Sequence, residues 1–61
     1  SNVESHLHDI ELLSLLRPML VGPAKRTLEA VQTMMKYLQE RYGVHISMRE
    51  CMELLKTLHF N

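Results

Sequence analysis

Leu28, Val31, Met35, Leu38 and Tyr42 fall at alternating three- and four-residue steps, the spacing that lines side chains along one face of an α-helix. Ala24 extends the row one step towards the N-terminus, and Gly43 stands where a left-handed cap would close it. Gly22-Pro23 breaks the chain just ahead of the row, and the fixed φ of proline suits a first helical position. The pattern predicts a helix over residues 23–42, with about 20 residues and roughly 30 Å of length.

Shorter apolar series flank it. Leu7, Ile10, Leu13 and Leu16 form a stripe widened by Leu12, Leu15 and Met19, which predicts a first helix over about 4–16. Ser1 with Glu4, or Ser5 alone, supplies its cap. Pro18 disfavours helical geometry at Arg17 and removes a backbone donor, so the helix is placed to end near Leu16 or to kink there. Met19, Leu20 and Val21 then form a buried crossing segment. After Gly43, Val44-His45-Ile46 alternates as a short extended piece would. Ser47 followed by Glu50 has the capping-box spacing. Met48, Cys51, Leu55 and Leu58, with Met52 and Leu54 beside them, predict a third helix over about 48–59, and Phe60 folds back onto the core. The expected fold is all-α: a small three-helix bundle in one domain over 1–61, whose helices 2 and 3 make a helix-turn-helix-like pair.

A chain of 61 residues has room for one such domain. Folding at this size buries only about 60% of the unfolded surface, so a single core is marginal without a partner or cross-link. Cys51 is the only cysteine, which excludes an intramolecular disulfide and suits a reducing compartment. The apolar-rich stretch from Ile10 to Val21 is interrupted by Glu11, Ser14, Arg17 and Pro18, too short and too polar a run to span a bilayer. No secretory pattern is visible. The expectation is a cytoplasmic protein, or a nuclear one if eukaryotic, with no membrane partner.

The unit from Leu38 to Phe60, with its glycine-containing turn and Ser47-started helix, resembles the helix-turn-helix of transposase-type and winged-helix DNA-binding domains. The resemblance implies a third helix that reads DNA, with Arg49 and Lys56 on it and Lys25 and Arg26 on phosphates. Charge weighs against it. Seven basic residues are balanced by seven acidic ones, whereas binding to a phosphate backbone calls for a basic excess or face. Glu50 and Glu53 also sit on the would-be recognition helix, and the turn is longer than the shortest form of the motif. Lys25 and Arg26 beside the break at Gly22-Pro23 are a second candidate, as an anion site at the start of the long helix.

Other chemistry is sparse. His6-x-His8 looks like a metal pair, but residues two apart on a helix point to different sides, and structural zinc wants four closely spaced ligands. Cys51 lies on the apolar stripe, where it behaves as a small hydrophobe. No metal, cofactor or catalytic site is expected. The five methionines, Met19, Met34, Met35, Met48 and Met52, carry more weight, because methionine recurs at adaptable binding surfaces as well as in cores. Two uneven apolar faces exceed what one small core covers. The favoured reading is a non-enzymatic protein-interaction or self-association module with Leu28, Val31, Met34, Met35, Leu38, Met48 and Met52 as partner-binding residues and Arg49 and Lys56 as rim charges. A homodimer or a second protein is the expected partner. The alternative is a DNA-binding domain using Lys25, Arg26, Arg49 and Lys56.

Overall fold

The computed structural model describes residues 3–60, and among them every regular element is helical. A 3₁₀ helix, Val3–His8, leads into α1 (Ile10–Leu20), followed by α2 (Thr27–Tyr42) and α3 (Met48–Leu55). Helix α2 is central, packing against α1 on one side and α3 on the other. Leu12 and Leu16 of α1, Ala30, Val31, Met34 and Leu38 of α2, Val44 of the second connection, and Cys51 and Leu55 of α3 form one buried core. Phe60 packs against that core, as the apolar pattern predicts.

The first element differs from the sequence expectation for a reason at Asp9. A continuous helix from residue 4 would keep Leu7, Ile10, Leu13 and Leu16 in phase. Instead Asp9 adopts an extended backbone and caps α1, its Oδ1 accepting from the N–H groups of Glu11 at 2.9 Å and Leu12 at 3.2 Å. The aspartate, not Ser5, is the start signal; Ser1 lies outside the described residues. This break resets the helical phase, so Leu12 and Leu16 point inward while Ile10 faces solvent. At the other end α1 runs through Pro18 to Leu20. Proline lacks the N–H that Ser14 O would have accepted, but Ser14 and Pro18 both lie on the exposed side of the helix, where a freed carbonyl is open to solvent.

Helix α2 begins at Thr27 rather than Pro23. Arg26 closes α1 instead: its N–H donates to Met19 O at 2.8 Å, and its Nη2 donates to Pro18 O at 3.1 Å. A residue that binds the end of the preceding helix cannot also occupy the first turn of the next, and Arg26 has non-helical dihedrals of φ −113 and ψ 65. The far end of α2 matches the pattern. Gly43 is left-handed, φ 68, and its N–H donates to Gln39 O at 2.9 Å while Val44 N–H reaches Leu38 O at 3.1 Å. Val44 is then buried, His45 exposed and Ile46 partly buried, the predicted alternation without a strand. Ser47 Oγ accepts from Glu50 N–H at 3.0 Å and starts α3. Helix α3 ends at Leu55, short of residue 59, where Thr57 N–H and Oγ1 both donate to Leu54 O at 3.0 and 2.7 Å.

Candidate functional site

The seven residues expected at a partner surface divide between interior and exterior. Val31, Met34 and Leu38 belong to the core, with Met34 and Leu38 fully inaccessible. Met34, off the main seam in the sequence, proves one of its centres, because α2 is covered by α1 on one flank and α3 on the other and needs a wider apolar arc than one seam supplies. Met35 is half-buried. Three remain at the surface: Leu28 is 59% exposed, Met48 46% and Met52 41%. Cys51 Sγ contacts Val31 O at 3.6 Å, which sets α3 beside the Val31 flank of α2. A turn of roughly 100° per residue puts Leu28 and Met35 farther round on that same flank, and Met48 and Met52 on one edge of α3, a single turn apart. The sequence therefore supplies exposed apolar side chains on one flank of α2 and one edge of α3 beyond those that close the core.

The basic residues of the alternative reading are dispersed. Arg26 is spent on α1 and on Glu29, 3.3 Å away. Lys56 pairs with Glu53 at 3.3 Å. Lys25 and Lys56 line one groove between the ends of α1 and α3, whereas Arg49 lies in the exposed first turn of α3. These four do not form a single face with the first turn of α3, where base contacts in a helix-turn-helix are made.

A cluster that sequence reasoning missed gathers at the C-terminal end of α2, beside the start of α1. Asp9 Oδ2 accepts from the Tyr37 hydroxyl at 2.9 Å and from the Tyr42 hydroxyl, and Arg41 Nε lies 3.4 Å away. Arg41 Nη1 reaches Glu11 Oε1 at 3.0 Å and its guanidinium stands 5.7 Å over the Tyr37 ring. The His6 ring stacks on Tyr42 with centroids 3.7 Å apart. Hydrogen bonds from Tyr42 and then Tyr37 and the Leu12 N–H, aided by Arg41, outweigh partial desolvation and hold the Asp9 carboxyl down at about 2. Desolvation and donation to that carboxylate push Tyr37 up to about 12. The arrangement clamps the 3₁₀ helix, α1 and α2 together through one saturated carboxylate. A capping Asp before an apolar run was its readable signal; which tyrosines would reach it depended on how α1 crosses α2.

Cys51 is buried, and desolvation raises its thiol to about 11, opposite to the depressed value a nucleophile needs. Among the described residues, no group of three His, Cys, Asp or Glu side chains is placed to hold a metal, and no helix is long and apolar enough to cross a membrane. No protein family, curated protein or solved structure matches the chain.

Proposed function

We propose that this chain is a non-enzymatic helical interaction module that pairs with a second copy of itself through the α2–α3 seam. The observation that carries the reading is the exposure of Leu28, Met48 and Met52 along that seam, although the core beneath is already closed by Met34, Leu38 and Cys51. Apolar side chains unnecessary to the fold and set on adjoining flanks are what a partner helix buries. Methionine suits the task because its flexible thioether adapts to the facing surface. Size is no obstacle. The chain exposes 4334 Å², so a small interface of about 600 Å² per partner takes roughly a seventh of it. Isologous two-fold pairing of such seams brings each Leu28 and Met52 against the same surface of the other copy. The lone free Cys51 fits a cytoplasmic or nuclear setting, where thiols stay reduced.

Sedimentation equilibrium over a range of concentrations tests this. The wild-type mass should rise from the 7.2 kDa of one chain towards twice that value, while the L28Q/M48Q/M52Q triple variant, unchanged in its helical circular dichroism, stays at the monomer mass. A wild-type chain that remains monomeric up to millimolar concentration overturns the pairing.

A further inference from the structure

The ends of α1 and α3 meet at a groove of about 580 Å³, within the range of roughly 300–1,000 Å³ that ligand sites occupy. Leu20, Leu58, Phe60 and the exposed Val21 give it apolar surface within a largely polar lining to which Lys25, Lys56 and His59 contribute. Among the described residues no carboxylate side chain lines it, although Glu53 stands close by on Lys56.

Two helix C-termini converge here, and their carbonyl ends would by themselves attract the lysines. Other donors have taken most of those carbonyls. Val21 N–H donates to Arg17 O at 3.0 Å, Arg26 donates to both Pro18 O and Met19 O, and Thr57 and Leu58 donate to Leu54 O and Leu55 O. Among the described residues Lys25 makes no ion pair. Lys56 is held only by the exposed pair with Glu53, which an incoming carboxylate replaces at little cost. Both lysines line the groove, and among the described residues neither side chain donates to a helix-end carbonyl.

We infer that this groove docks an acidic amphipathic peptide segment of another protein, with its apolar side chains on Leu20, Leu58 and Phe60 and its carboxylates against Lys25 and Lys56. Apolar surface beside two lysines suits a helix-in-groove mode, in which apolar anchors at helical spacing give affinity and charges beside them give orientation. Leu28, Met48 and Met52 do not line the groove, so the two surfaces are distinct, although Lys56 stands one helical turn from Met52.

The test is an NMR titration of the ¹⁵N-labelled 61-residue chain with the N-acetylated, C-amidated peptide EELLEEFLEEL. Saturable shifts should concentrate in residues 20–25 and 55–60, affinity should fall as salt rises, and the K25E/K56E variant, folded by its own spectrum, should bind about tenfold more weakly or worse. The basic counterpart KKLLKKFLKKL should bind weakly by the same margin. Equal binding of the two peptides, shifts centred on Leu28, Met48 and Met52, or no saturable shift overturns the inference. So do two other occupants: hexanoate alone reproducing the shifts with comparable affinity, or the same amides moving with protein concentration and no peptide, as a second copy in the groove requires.

Discussion

Asp9 concentrates more of the structure than any other single residue. It caps α1, anchors Tyr37 and Tyr42 of α2, and sits beside Arg41. The direction of its shift sets a pH window. Its folded-state value of about 2 lies below the ordinary 3.8, so the stability it lends is complete above pH 3.8 and is lost as pH falls towards 2. Tyr37 has the opposite sign: raised from 10.0 to about 12, it lends stability that is intact below pH 10 and lost as pH climbs through 12. Urea midpoints measured across pH should thus show a plateau with an acid and an alkaline shoulder. In Asp9→Asn the acid shoulder should shrink and the plateau drop, while equal acid slopes in variant and wild type would show that the clamp is not coupled to folding.

At the scale of elements, the two helix junctions use different devices. The α2–α3 junction is written in local chemistry, with a left-handed Gly43 and a Ser47 cap. Gly43→Ala forces a Cβ into φ 68 and should cost about 1 kcal/mol or more even though the space around it is open. Ser47→Ala removes the bond to Glu50 N–H and should cost about 1 kcal/mol. Chemical denaturation reads both, and a neutral Gly43→Ala would deny the cap its role. The α1–α2 junction depends on Arg26 reaching back to Pro18 O and Met19 O. Local rules place a helix start at Pro23, and only the docking of that loop on the end of α1 moves it to Thr27.

Across the whole molecule, methionines of similar sequence context have divergent roles. Met34 is fully buried at the centre, Met52 is at the surface. Met34→Ala should destabilise by about 2–5 kcal/mol through lost contacts and a cavity, while Met52→Ala should change monomer stability by less than about 0.5 kcal/mol and act on assembly instead. Thermal melts at low and high protein concentration separate the two effects. Similar losses for both variants at low concentration would place Met52 inside the fold.

The apolar pattern by itself determined the helical class, the presence of a long central helix, its end at Gly43 and the start of α3 at Ser47. These follow from periodicity, backbone conformation and capping, which act over a few residues and are therefore written locally. Tertiary structure alone decided which side chains of α2 meet Asp9, that Arg26 reaches back to the end of α1, and that Met34 is core while Leu28, Met48 and Met52 are surface. Each of these turns on which flank of α2 is covered by α1 and by α3. A helical stripe in a sequence records that a face is apolar, but the choice between a neighbour in the same chain and a partner outside it is made by the angle and phase at which the helices meet.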